Sequence, residues 1–126
     1  MRDNMDKNIE ISLLYDFYKE LLTEKQADAI DLYYNQDFSL SEISEHLHIT
    51  RQGVRDSIKR GEKLLFDMEE KLGLVNRFLS IQNKIETVKD LVADIEELNR
   101  KKIFSNELND RISKLKTVVN DIGEKA

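Results

Sequence analysis

Within residues 39–63, SLSEISEHLHITRQGVRDSIKRGEK, four cations recur at intervals of four: Arg51, Arg55, Lys59 and Lys63. On a helix that spacing aligns them along one face, with Gln52 and Asp56 beside them. Arginine and glutamine match the hydrogen-bonding edges of bases, while lysine meets phosphate as a point charge. The chemistry that fits is docking of a helix on nucleic acid. Arg51, Gln52 and Arg55 would address base edges, and Lys59 and Lys63 phosphates. The Thr50 hydroxyl and the first-turn amides would add contacts to phosphate oxygens. The same charges also suit a solvated face paired with the acidic remainder of the chain.

Other chemistry finds little support. There is no cysteine, so a disulfide framework, a Cys-ligated zinc and a thiol nucleophile are excluded. His46 and His48 are two apart and do not share a helical face. The adjacent pairs Glu69–Glu70 and Glu96–Glu97 diverge and read as solvated helix faces; Ser57 and Ser80 lack a spaced histidine; glycines 53, 61, 73 and 123 form no phosphate loop. The aromatics Tyr15, Phe17, Tyr18, Tyr33, Tyr34 and Phe38 read as core with one or two exposed rings rather than as a base-stacking platform. No catalytic residue, metal or cofactor is therefore expected. The net charge of −5 over 126 residues means that only a local basic surface, such as the net +3 of 51–63, serves nucleic acid. No apolar run approaches the roughly 18 residues of a membrane span, and MRDNMDKNIE is too charged for a signal peptide. The expectation is a cytoplasmic protein without membrane insertion.

The elements that position the stripe follow from apolar period and caps. Leu13, Leu14, Phe17, Tyr18, Leu21 and Leu22 predict a helix over about 9–22. Thr23 with Gln26 is a capping box for a helix over about 24–35 that buries Ala27, Ile30 and Tyr33 or Tyr34. Ser39 with Glu42 opens a two-turn helix at 40–47, facing inward through Leu40, Ile43 and Leu47. Thr50 caps the next helix, whose stripe is Val54, Ile58, Gly61, Leu65, Met68 and Leu72, with Gly73 as its C-cap. The short helix, the connection HIT and the capped second helix make a helix-turn-helix. Ile43 and Leu47 pack on Val54 and Ile58 across its corner, Ile49 plugs the inside, and Ser44 and Gly53 are small for a close crossing.

Beyond Gly73 the pattern narrows to a heptad seam, Leu74, Phe78, Ile81, Ile85, Val88, Val92 and Ile95, continued by Asn99 and widened by Leu91 and Leu98. A second stripe, Leu108, Ile112, Leu115, Val119 and Ile122, follows Ser105, its N-cap. Two stripes joined by a short link form an antiparallel hairpin. The shorter stripe cannot cover the longer seam, so Phe78, Ile81, Ile85, Val88, Val92 and Ile95 are expected to pair with a second copy in a homodimer, the alternative being that the strip folds back on residues 9–34 of the same chain in a compact monomer. The fold class is all-α: a wingless helix-turn-helix bundle over 1–73, then a C-terminal hairpin or dimerisation segment over 74–126.

Residues 13–74 closely resemble the YlxM family of small bacterial helix-turn-helix proteins, through YDFY at 15–18, LLTEKQ at 21–26, LYY at 32–34, SLSEI at 39–43 and TRQGV at 50–54. The resemblance implies a fold similar to region 4 of bacterial sigma factors. It carries over the corner residues Ile43, Leu47, Ile49, Val54 and Ile58, and marks Arg51 and Gln52 as the exposed start of the second helix. Genes of the family typically lie beside those of the signal recognition particle GTPase and its receptor. What this implies is a regulatory or accessory role in the signal recognition particle pathway, with the particle's protein or RNA as partner. A sequence-specific transcription regulator on duplex DNA is the alternative.

Overall fold

A computed structural model describes residues 6–125; the first half of the charged start lies outside them. Every regular element among the described residues is helical: α1 Lys7–Tyr18, α2 Glu24–Ile30, α3 Leu40–Leu47, α4 Arg51–Leu72, α5 Leu74–Leu98 and α6 Asn106–Lys125. The chain divides into two compact units, Met1–Asn76 and Arg77–Ala126.

In the first unit the caps act where their residue types placed them. Thr23 and Gln26 exchange backbone-to-side-chain hydrogen bonds of 3.1 Å at the start of α2. Ser39 and Glu42 do the same at α3, the Ser39 N–H donating to Glu42 Oε1 over 2.9 Å. These bonds hold the Glu42 carboxyl below its ordinary range. Gly73 ends α4 at φ 63°, a left-handed conformation that costs glycine little.

Two helices end differently from expectation. α1 stops at Tyr18, and Lys19–Leu21 tighten into a 3₁₀ turn that leaves Leu21 exposed. The extended Leu22 and the Thr23 cap require this break before α2. α2 widens at Asp31–Asn35 into a π turn, where the Gln36 N–H donates to the Asp31 carbonyl. The buried residues of this stretch are Ala29, Ile30 and Leu32, while Ala27 and Tyr34 are only half-buried and Tyr33 is exposed. The added residue in the turn rotates everything after Asp31 relative to an ideal helix.

α4 buries Val54, Ile58, Gly61, Leu65 and Glu69. Gly61 marks the closest approach to α2: a Cβ there would lie 2.4 Å from Ile30 Cδ1. Leu72, expected on the stripe, is exposed. Its place is taken by Glu69, which the sequence reading assigned to a solvated face. The carboxylate accepts from the Tyr18 hydroxyl at 2.7 Å, the Val75 N–H at 3.0 Å and the Asn76 N–H at 2.9 Å. Tyr18 Oη also accepts from the Leu74 N–H at 3.2 Å. The first three amides of α5, which have no intrahelical partner, are thus satisfied by one carboxylate and one phenol.

The second unit is an antiparallel hairpin. Ile85 and Val92 of α5 and Ile112 and Val119 of α6 are buried, and Lys116 of α6 pairs with Glu96 of α5 at 2.6 Å. A π turn at Asn99–Ile103 and a left-handed Phe104 reverse the chain. Asn99 is fully buried: its amide donates to the Ser105 carbonyl at 2.9 Å and Asn109 Oδ1 at 2.7 Å, and its Oδ1 accepts from the Ser105 N–H at 2.8 Å. Ser105 caps α6 through the Leu108 N–H. A saturated polar residue in an apolar seam fixes register.

Candidate nucleic-acid interface

The face that matters is set by the corner between α3 and α4. Ile43, Val54 and Ile58 form one buried cluster with Ala29 and Leu32, rimmed by Leu40, Leu47, Ile49, Tyr34 and Phe38. All five corner residues named from the sequence therefore lie in this cluster or against it. Ser44 is small for a further reason: its hydroxyl donates to the Ile49 carbonyl at 2.5 Å, and the Ile49 N–H returns to the Ser44 carbonyl at 3.2 Å, closing the turn. Gly53 lies within the cap, where its N–H donates to Thr50 Oγ1 at 3.0 Å and a Cβ would stand 3.2 Å from that oxygen. The Thr50 oxygen is thus committed first to the helix, leaving its proton free to donate outward.

His48 adopts φ 57° at the end of α3. A side chain in the left-handed region costs about 1 kcal/mol relative to glycine. His48→Gly is accordingly expected to raise stability by up to about 1 kcal/mol. An unchanged or lower urea midpoint would overturn this. His46 is exposed, its ring edge-on to Phe38 at 6.0 Å. No group of three or more His, Cys, Asp or Glu suited to a metal occurs among the described residues.

With Val54 and Ile58 turned inward, Arg51, Gln52, Arg55, Asp56, Lys59, Arg60 and Lys63 are exposed on α4. They differ in engagement. Arg60 pairs with Asp56 at 3.1 Å, and Lys63 with Asp67 at 2.8 Å, a bond that raises the Lys63 pKa. Lys63 remains well exposed but is, among the described residues, the one member of the predicted stripe with an acidic partner. Arg51, Gln52, Arg55 and Lys59 make no side-chain hydrogen bond or ion pair among the described residues. From Arg51 to Lys59 is eight residues, about 12 Å along the axis. A shallow cleft beside them is lined by Lys7, Tyr33, Tyr34, Leu40, Arg55, Ile58, Lys59 and Glu62. In it the Tyr34 hydroxyl donates to Glu62, and burial followed by that bond raises the phenol's pKa.

The six seam residues fall into different environments. Ile85 and Val92 face their own hairpin, Phe78 is half-buried, and Ile81, Val88 and Ile95 are exposed. The sequence reading missed Glu69. Its signal was position: four residues after Leu65, it continues the buried face of α4. No helix among the described residues is long and apolar enough to cross a membrane.

Comparison with known proteins agrees with this architecture. The family described as "Putative helix-turn-helix protein, YlxM / p13 like" matches residues 5–125. A UPF0122 protein of Acetivibrio thermocellus is 57% identical over 88 residues, covering 69% of this chain and 75% of the relative. One from Clostridium novyi is 44% identical over 106 residues, covering 84% and 92%. One from Bacillus cereus is 41% identical over 95 residues, covering 75% and 86%. Neither the family description nor these names denote an enzyme. By the span of the match and the identity of its relatives, the chain belongs to the YlxM / p13-like family of helix-turn-helix proteins.

Proposed function

We propose that this protein is a regulatory or accessory factor that docks on nucleic acid through the exposed start of α4, and that it serves the signal recognition particle pathway. The observation that carries the docking is the unengaged set Arg51, Gln52, Arg55 and Lys59 opposite a fully packed corner. Exposed cations elsewhere, such as Lys25, Lys71 and Lys84, also lack an ion pair among the described residues; what sets Arg51, Arg55 and Lys59 apart is their four-residue spacing along one face of α4 beside the helix-turn-helix corner. The pathway assignment rests on the family resemblance, and in this reading the particle's RNA or protein is the partner. A second reading, a transcription regulator on duplex DNA, draws on the projection of α4 from its corner, since a helix of that exposure suits a major groove about 12 Å wide. In either case the chain works in the cytoplasm as a homodimer that offers two α4 faces.

Arg55→Glu tests the docking. Against the particle's RNA, and against duplexes selected from a random pool, it is expected to weaken binding at least tenfold and flatten the salt dependence by about one unit of slope. Lys89→Glu, on the hairpin, should leave both unchanged. Unaltered affinity and slope in the Arg55 variant would remove α4 from the interface. Recovery of neither the particle's RNA nor its protein by the intact chain from its own cell extract would refute the pathway assignment, and enrichment of a duplex sequence would establish the second reading.

A further inference from the structure

We infer that the cleft where the Asp31–Asn35 turn meets α4 takes one unpaired nucleotide of a folded RNA, with its base on the Tyr33 ring and its phosphate against Arg55 and Lys59. The inference rests on the docking reading above and narrows it to RNA that offers a base outside its stack.

Tyr33 is the ring in this cleft without a structural task. Tyr18 and Tyr34 commit their hydroxyls to Glu69 and Glu62, whereas the Tyr33 hydroxyl makes no hydrogen bond among the described residues. It is 39% exposed and stands perpendicular to Tyr34, with ring centroids 5.0 Å apart. In such a pair one ring gives its edge and the other a single face, so at least one face of Tyr33 is left uncovered by Tyr34. Both tyrosines belong to the π turn Asp31–Asn35, and widened turns of this kind recur at functional sites. Of the six aromatics expected to leave one or two rings exposed, Tyr33 is the exposed one, and it lies against the basic stripe.

The rest of the cleft fits the other parts of a nucleotide. Leu40 and Ile58 supply apolar surface beside the ring. Arg55 and Lys59 line it from α4 without an ion pair among the described residues, and Lys7 meets Glu62 only at 3.8 Å. Three cations against one carboxylate favour a phosphate in a chain that is acidic as a whole. The cleft volume, about 360 Å³, falls within the roughly 300–1,000 Å³ of small-ligand sites. An acidic protein segment would use the cations and leave the ring idle. A duplex would do the same, because the faces of its bases are covered by their neighbours. A base outside the stack uses both, and stacking on an aromatic ring tolerates any base.

Titration of the intact chain with three probes tests this: an RNA stem carrying one bulged nucleotide, the same stem fully paired, and a DNA duplex of the paired sequence. The bulged stem is expected to bind about tenfold more tightly than the other two, the measure of one stacked base. Tyr33→Leu should bring the bulged stem down to the affinity of the paired one with helical circular dichroism retained, and Tyr33→Phe, which keeps the ring, should restore the difference. A bulged 5-iodouridine tests the site without any substitution: on irradiation it is expected to cross-link to Tyr33, as located by mass spectrometry of the peptides. Equal affinity for bulged and paired probes overturns the proposal, as does the absence of an adduct at Tyr33. Should Arg55→Glu weaken every probe while Tyr33→Leu weakens none, docking stands and the nucleotide site falls; should neither variant weaken any probe, both fall.

Discussion

Replacing Glu69 with alanine is expected to destabilise the first unit by about 3 kcal/mol, because three donors lose their acceptor at once. The Val75 N–H is buried at the start of α5, and Val75 itself is fully buried, so water does not readily replace the carboxylate there. The Tyr18 hydroxyl, in a side chain 2% exposed, loses its acceptor as well. The charge further opposes the positive end of α5, a stabilisation that an uncharged residue does not supply. Glu69→Gln keeps an acceptor oxygen and should cost about half as much. Tyr18→Phe removes one hydroxyl and leaves Leu74 N–H short of an acceptor, at about 1–2 kcal/mol. Because the two residues share a bond, their double variant should cost less than the sum of the singles. Urea unfolding followed by circular dichroism measures all four. A Glu69→Ala midpoint indistinguishable from that of the intact chain would contradict the network.

The same network fixes an alkaline limit. Burial first, and the Glu69 bond second, raise the Tyr18 pKa above its ordinary 10.0. A group that releases its proton more readily when unfolded contributes stability that is fully present below pH 10 and is lost as pH rises through the folded value. Tyr15 and Tyr34 are shifted in the same direction, chiefly by burial, and add to the slope. The stability of the intact chain should therefore fall more steeply above pH 10 than that of Tyr18→Phe.

What the sequence disclosed, and what it did not, divides along a physical line. Local chemistry was legible: Thr23–Gln26, Ser39–Glu42, Thr50, Gly73 and Ser105 all cap the helices their types announced, since a cap involves residues no more than four apart. The basic stripe was legible as a face, because α4 is regular through Lys63. Its division into paired and unpaired cations was less so: Asp56 and Asp67 lie four from Arg60 and Lys63, a spacing compatible with pairing that sequence does not make obligatory. The π turns at Asp31–Asn35 and Asn99–Ile103 were not foreseen, since an inserted residue leaves no mark in composition and shifts the period by only one position. Glu69 was misread because an acidic residue beside Glu70 resembles any solvated helix face. Its burial depends on Tyr18, 51 residues earlier, and on a helix start that only the Gly73 reversal brings to it.

Ile43→Ala is expected to cost about 3 kcal/mol, within the 2–5 kcal/mol seen when a buried Ile loses its outer carbons, whereas Ile43→Val should cost about 1 kcal/mol. Ile43 is wholly buried and is the only residue of α3 that is, so this short helix is fastened to α4 through it, with Leu40 and Leu47 as half-buried flanks. Its neighbours Val54 and Ile58 lie on the inner side of the helix that carries Arg51, Arg55 and Lys59 outward. A cavity there does not simply subtract burial energy; it frees α3 to shift toward α4 and tilt the corner. The Ser44–Ile49 bonds resist that motion only at one end of α3, because Ser39 and Glu42 at the other end bond to each other rather than to α4. Ile43→Ala should therefore reduce affinity for nucleic acid by more than the loss of folded protein accounts for, when binding is measured well below the unfolding transition. Thr23→Ala, which costs about 1 kcal/mol through the cap of α2 and lies outside the proposed interface, provides the reference. A normal affinity in folded Ile43→Ala would mean that α4 binds without the corner to aim it.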